Sequence, residues 1–317
     1  MHIGTNNWKL TIRRQDNGVT ILRAATCDEQ AALPEELFGL PVTALGDHAL
    51  VPDAKPVEGE ELEILGAPGV GAWDNRALRE LTLPPGLRAV GDYALMNCRN
   101  LRRLRLSGGD MAWGTGALMN CRELGELRLE SADSGTLAYF AGELNRELDV
   151  SLWEDGVCTA RLIFPEYVES YEENGPAHHF DYKVYGVGQP YRHVFRARRL
   201  NFYDYDALWR NALAGEWEED TALRLAWWRL YYPRELSAEA AAGYRAYLGN
   251  HAAAALRFLI PLRDTRMLDA FLSDVECDAP ALREASALAR ENGDTAALAL
   301  LLDELHRRRD GERSFEL

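Results

Sequence analysis

The sequence predicts an α+β protein: a short solenoid with a parallel strand ladder, then an aromatic β/loop cap, then a C-terminal array of α-helical hairpins. Three observations carry this. A leucine pattern recurs every 23 residues between Leu78 and Leu152. The period is absent from residues 154–205, which are rich in Phe and Tyr. From about residue 206 the apolar residues recur at helical spacing. The expected organisation is 1–153 for an N-terminal hairpin cap and the solenoid, 154–205 for the aromatic cap or bridge, and 206–317 for the helical repeat-like region.

The first segment, "WKLTIRRQDNGVTILRA", reads as two strands around the turn signal "QDNG". Such a hairpin would close the first edge of a solenoid, whose terminal coils otherwise expose apolar faces. Further on, "LRELTL", "LRRLRL" and "LGELRL" are one strand written three times, with "ELDVSL" as a looser fourth copy. Leu81, Leu104 and Leu127 hold one register, and Leu83, Leu106, Leu129 and Leu152 hold another. Each alternates with polar residues, the period of a half-buried strand. Identical strands at a fixed period, joined by connecting arms, describe stacked coils.

The arms repeat as well: "GDYALMNC" at 91–98 returns as "GTGALMNC" at 114–121. Small Ala94 and Ala117 let an arm turn close to the strands, and Leu95 and Leu118 fill the space between the layers. Gly91 and Gly114 suit a tight turn and are expected at positive φ. Cys98 and Cys121 are expected to stack, buried, as small hydrophobes rather than as a metal or redox pair.

With these residues in view, "LPPGLRAVGDYALMNCRNLRRLRL" resembles the BspA-type bacterial leucine-rich repeat. That pattern runs Leu-Pro, then hydrophobic-Gly-x-x-Ala-Phe-x-x-Cys, then Leu-x-x-hydrophobic-x-hydrophobic. "LPEELFGLPVTALGDHAL" resembles the way such arrays begin, and the resemblance covers roughly residues 33–153. Leu50, Leu95 and Leu118 stand where the family prefers phenylalanine, and Ser107 stands where it usually has proline. Residues 51–77 read as a degenerate coil, with "LEIL" as its strand and "GAPGVGAWDN" as its arm. The resemblance implies a curved leucine-rich repeat solenoid used for binding, often at bacterial surfaces, and it implies no enzyme activity.

The helical region follows in six pieces, beginning with "EEDTALRLAWWRLYYP" and ending with "DTAALALLLDELHRR". Asp220, Ser237, Asp264 and Asp294 are expected N-caps, and Gly293 an expected helix stop. Asp264-Thr265 and Asp294-Thr295 lie 30 residues apart, an echo that resembles ankyrin-like or other helical hairpins. The basic "HRRR" run is expected near a helix C-terminus, where it complements the dipole.

A formal net charge of −15 argues against nucleic-acid and anionic-membrane partners. Five scattered cysteines without a CxxC pair suit a reducing compartment. No apolar stretch approaches the ~18 residues of a membrane span, and "MHIGTNNWKLTIRRQDNG" lacks a signal-peptide core. The expectation is a cytoplasmic, non-enzymatic protein-binding or scaffolding module with no cofactor and no metal. The alternatives are a surface adhesin and a metal-dependent hydrolase. Its partner face would be the outside of the strand ladder, where Arg103 and Glu126 stack in one column, Arg105 and Arg128 in the next, and Trp153 supplies an aromatic anchor. Arg105 beside Arg128 suggests an acidic partner. A second candidate, a ligand groove, gathers His178, His179, Asp181, Tyr185, Tyr191 and Arg192; His179 and Asp181 share a strand face, whereas adjacent His178 and His179 do not. A homodimer through the leucine-rich last helix is the expected self-association.

Overall fold

The structure, a computed structural model, describes residues 6–66, 72–107, 109–130, 135–174, 179–215 and 218–315. The chain forms two compact units: residues 1–159 with 164–201, and residues 160–163 with 202–317.

The first unit opens with β1 (Trp8–Gln15) and β2 (Gly18–Ala25), an antiparallel hairpin as the "QDNG" turn predicts. Next come β3 (Gln30–Ala32), β4 (Glu36–Leu37), β5 (Leu40–Leu45), β6 (Glu60–Ile64), β7 (Glu80–Thr82), β8 (Ala89–Val90), β9 (Arg103–Leu106), β10 (Ala112–Trp113) and β11 (Glu126–Leu129). Helix α1 (Thr136–Glu143) precedes β12 (Leu148–Glu154) and β13 (Val157–Phe164). The leucine ladder is one parallel sheet in the order β12-β11-β9-β7-β3, with β13 beyond β12. Leu81, Leu104, Leu127 and Val150 stack inward in register and are buried, because alternation sends every second residue to one face. The first member of the ladder, β3, is one the leucine pattern does not reveal: Ala31 takes the leucine's place opposite Leu81.

The arms build a second ladder. β2, β5, β8 and β10 are parallel, with Ala44, Ala89 and Ala112 in register. The hairpin therefore caps this sheet through β2. The "LEIL" segment is not a coil strand: β6 pairs antiparallel with β1, outside the leucine ladder, and β3 pairs directly with β7. Its alternation shows why, since Glu60, Glu61 and Glu63 are exposed and offer no buried rung. Residues 67–71 of the associated arm lie outside the described residues, but its end is in place. Asn75 occupies the position of Cys98 and Cys121, buried, with its amide donating to the carbonyls of Ala24 (2.8 Å) and Leu50 (2.9 Å) and accepting from the Thr26 amide (2.8 Å). A buried amide is stable there because its bonds are satisfied.

Cys98 and Cys121 are buried as expected, and each thiol points at a carbonyl of the preceding coil, Leu50 O at 3.4 Å and Leu95 O at 3.2 Å. Burial pushes the Cys98 thiol well above its ordinary pKa and the Cys121 thiol up to about 12. Gly91 and Gly114 differ from expectation. Neither adopts positive φ; that conformation falls on Tyr93, Asn97, Gly116 and Asn120. Instead the two glycines sit where consecutive coils touch. A Cβ on Gly114 would lie 2.5 Å from the Asp92 amide nitrogen and 2.5 Å from the Gly91 carbonyl carbon.

The array ends in two ways. α1 replaces the arm after β11, burying Leu137, Phe140 and Ala141, and Trp113 stacks on Tyr139 with ring centroids 5.0 Å apart. A two-residue turn at Asp155 and Gly156, both at positive φ, leads from β12 into β13. The aromatic segment then supplies β14 (Val168–Asn174) paired antiparallel with β15 (His179–Tyr185), a short α2 (Gly188–Tyr191), and the small pair β16 (Phe195–Arg196) and β17 (Arg199–Leu200).

At the start of the chain, Asp28 clamps β1 into place. It accepts from the Asn7 amide at 2.8 Å, from Asn7 Nδ2 at 2.9 Å and from Asn6 Nδ2 at 3.3 Å. Burial pushes its pKa up, but these donors outweigh burial and hold it below the usual 3.8. A depressed folded pKa means the stabilisation is present above the unfolded value and is lost as pH falls through the folded one. Wild type should therefore lose stability more steeply below pH about 4 than Asp28→Asn, in parallel acid titrations followed by circular dichroism. Equal acid limbs would show that the clamp contributes nothing.

The second unit contains α3 (Phe202–Ala207), α4 (Trp209–Leu213), α5 (Glu219–Tyr231), α6 (Ala238–Asn250), α7 (Ala252–Leu259), α8 (Thr265–Asp274), α9 (Ala279–Glu291) and α10 (Thr295–Phe315). Ser237, Asp264 and Asp294 cap helices as expected, accepting from the amides of Ala240, Met267 and Ala297. Asp220 does not cap: it lies in the first turn of α5, with Glu218 at the N-cap, and it pairs with Arg224 instead. α7–α8 and α9–α10 are successive hairpins, α7 packed on α9 and α8 on α10. The "HRRR" run is not at a helix end, because α10 continues to Phe315; Arg307 and Arg308 turn back onto buried Glu304. Ala297 and Leu301 of α10 are buried, Leu298, Leu300 and Leu305 are half-buried, and Leu302 is exposed.

Tyr205 secures the buried end of β13. Its hydroxyl accepts from the Ile163 amide at 3.1 Å and donates to the Ile163 carbonyl at 2.5 Å. One side chain thus satisfies both backbone polar groups of a buried residue.

Candidate functional site

The solvent face of the leucine ladder is ordered by strand register. Its first column runs Gln30, Glu80, Arg103, Glu126, Asp149. Arg103 bridges its two neighbours, 2.7 Å from Glu80 and 2.5 Å from Glu126. Partial burial opposes its charge, yet Glu126 and Glu80 outweigh that and raise its pKa. This column neutralises itself, as alternating charges on neighbouring strands do.

The second column runs Thr82, Arg105, Arg128, Ser151, as the 23-residue spacing predicts. The expected repulsion between the two arginines is relieved by a residue that the sequence reading missed. Glu130 lies two positions beyond Arg128 on the same face, 2.8 Å from Arg105 and 2.8 Å from Arg128. The signal for it was present, since continuing the alternation past Leu129 places Ser107, Glu130 and Trp153 in a third column. Arg128 also lies over the Trp153 ring, 3.6 Å from its centroid. Arg105, Glu130, Arg128 and Trp153 are therefore one contiguous cluster, held in place before any partner arrives. The charge on this face is close to balanced, so the acidic partner inferred from Arg105 and Arg128 loses its electrostatic basis.

The second candidate group is not brought together in the same way. His178 lies outside the described residues. His179 and Asp181 are two positions apart on β15, with Asp181 opposite Glu172 in the backbone register. Tyr185 is half exposed at the start of the hairpin, opposite Val168. Tyr191 and Arg192 are buried, against the expectation that they line an open groove; Arg192 donates to the carbonyls of Arg146 (2.6 Å) and Pro165 (3.0 Å). Arg192 thereby ties these two segments together, since a buried guanidinium needs acceptors around it. Among the described residues, no three His, Cys, Asp or Glu side chains gather as a metal set. The β14–β15 hairpin does expose Tyr171 and Tyr182, paired across the strands with centroids 5.1 Å apart. A hydrogen bond to Glu169 pushes the Tyr182 hydroxyl up to about 12.

No helix among the described residues is long and apolar enough to cross a membrane. No family model matches the chain, and no curated protein matches it. Among solved structures, a leucine-rich repeat protein of T. pallidum is 16% identical, with a TM-score of 0.26, over 38% of this chain and 51% of that one. A leucine rich cell surface protein from Faecalibacterium prausnitzii A2-165 is 17% identical, with a TM-score of 0.28, over 50% of this chain and 43% of that one. The chain spans about half the length of these proteins. The leucine-rich repeat solenoid rests on this chain's own strand register.

Proposed function

We propose that the protein is a non-enzymatic binding module that holds a protein partner on the outer face of the leucine ladder. The observation that carries this is the preassembled cluster of Trp153, Arg128, Glu130 and Arg105. Trp and Arg are the side chains most enriched at binding hot spots, and fixing them in advance reduces the entropy lost on association. The charge pairs already satisfy one another, so a partner gains mainly by covering the Trp153–Arg128 stack and by hydrogen-bonding the outer edges of the two columns.

Affinity capture with wild type, Trp153→Ala, and Tyr171→Ala/Tyr182→Ala tests the site. Thermal unfolding checks that each variant folds. A partner that binds the ladder face should bind Trp153→Ala more weakly by about 2 kcal/mol, roughly thirtyfold in Kd, while the hairpin variant keeps it. A partner held equally by Trp153→Ala and lost by the hairpin variant would overturn the assignment.

A further inference from the structure

A cleft of about 650 Å³ opens beside the N-terminal hairpin, lined by β1, β2, β6, the segment Val51–Pro56 and residues Trp73–Asn75. Its size is that of small-molecule sites. Two of the protein's three lysines, Lys9 and Lys55, line it together with Arg23.

The Arg23 guanidinium is held without a carboxylate hydrogen bond. Nε donates to Lys55 O at 3.0 Å, and Nη1 donates to Leu22 O and Asp47 O, each at 2.6 Å. Nη2 has no acceptor among the described residues. Three carbonyls thus fix the orientation of the fork while leaving one nitrogen unused. Its charge is also incompletely offset, since burial lowers its pKa more than nearby Asp47 raises it. One Asp47 oxygen is already occupied by the Asp92 amide at 2.9 Å.

The other charges lining the cleft sort themselves. Lys9 pairs with Glu63 at 3.1 Å and lies over the Trp73 ring. Asp53 and Asp74 both pair with Arg76. Lys55 has no ion pair among the described residues, and Glu61 is the remaining carboxylate. The lining thus holds three cations and four carboxylates, and Arg23 and Lys55 are the two cations that no carboxylate holds among the described residues, inside a chain whose formal net charge is −15. A fixed guanidinium with one free nitrogen, beside a lysine ammonium, fits an oxyanion that takes a charge-assisted hydrogen bond from the first and a point charge from the second.

We propose that this cleft binds a small multivalent oxyanion, a phosphate ester or a polycarboxylate, through Arg23 and Lys55. The site is separate from the ladder face and stands whether or not that face binds a protein.

Pyrophosphate and citrate are the probes, titrated calorimetrically into the full chain at constant ionic strength, with sodium chloride as the control. Either probe should bind at one site. Lys55→Gln, which leaves the Lys55 carbonyl that holds Arg23, and Arg23→Lys should each weaken binding about tenfold or more, the scale of one lost charge-assisted hydrogen bond. Arg105→Glu should leave it unchanged. A preference for one probe assigns the ligand to the phosphate or the carboxylate class. No binding of either probe, or binding that Lys55→Gln leaves intact, would overturn the proposal. Sedimentation with phosphatidylserine vesicles in place of pyrophosphate or citrate binding would overturn the small-molecule assignment.

Discussion

Arg229→Ala is expected to lower the unfolding free energy by about 3–5 kcal/mol, the cost of stranding the other half of a buried ion pair. Arg229 is fully buried, and its guanidinium grips Asp206 with two hydrogen bonds, Nε to Oδ1 at 2.8 Å and Nη2 to Oδ2 at 2.9 Å. Tyr244 adds a third bond to Asp206 Oδ1 at 2.8 Å, and Arg229 Nη2 also reaches the Arg234 carbonyl at 2.9 Å. Burial acts against the charge of Arg229, but Asp206 outweighs it and raises the pKa. The network joins α3, α5 and α6, so alanine leaves Asp206 charged and half-partnered in the middle of the second unit. Removing both charges with Arg229→Met and Asp206→Leu should cost less than Arg229→Ala alone, because neither ion is then left unpaired. Urea denaturation followed by tryptophan fluorescence reads both; a loss below about 1 kcal/mol for Arg229→Ala would show that the pair is not a keystone.

Gly114→Ala is expected to cost about 3 kcal/mol, at the upper end of what overpacking does in a core. The added methyl would sit 2.5 Å from backbone atoms of the preceding coil, and backbone cannot rotate away as a side chain can. The coils would have to separate locally, which would loosen the second ladder between β8 and β10. Gly142→Ala is the internal comparison. Gly142 lies within α1 with open space around it, so alanine there should stabilise by up to about 1 kcal/mol through helix propensity. Thermal unfolding of the two variants side by side decides the matter. Equal and small shifts would mean that consecutive coils are not in close contact at the glycine positions.

Both expectations bear on how much of this protein was legible in its amino acids. The 23-residue leucine ladder was, down to the register of Glu80, Arg103 and Glu126, because burial on one face forces a period of two and stacking forces the coil length. The helical region was legible from its own period of about 3.6, and Ser237, Asp264 and Asp294 were readable as caps, whereas Asp278, which caps α9 by accepting from the Ala281 amide, was missed. Asp220 failed as a cap because two further acidic residues precede it, and the helix starts earlier in the run. β3 was invisible because alanine replaces leucine at its inward position. "LEIL" was misplaced because a short apolar alternation does not say which strand it pairs with, and β1 offered it an antiparallel edge.

The candidate sites divide along the same line. Arg103, Arg105, Glu126, Arg128 and Trp153 share a face because strand periodicity puts them there. Glu130, which relieves the crowding of Arg105 and Arg128, belongs to that periodicity, but its role depends on where three long side chains place their charges. Tyr191 and Arg192 were read as groove residues because they are polar and aromatic, and their burial follows from packing that adjacency in sequence does not encode.

The sequence by itself determined the repeat unit, the two kinds of secondary structure and the inward and outward faces of the ladder, since each follows from local periodicity and side-chain volume. Tertiary structure alone decided which strand edges pair, why glycine is required at Gly91 and Gly114, and which charges answer one another. Those depend on atoms that are far apart in the chain and come within a few ångströms only when the coils stack.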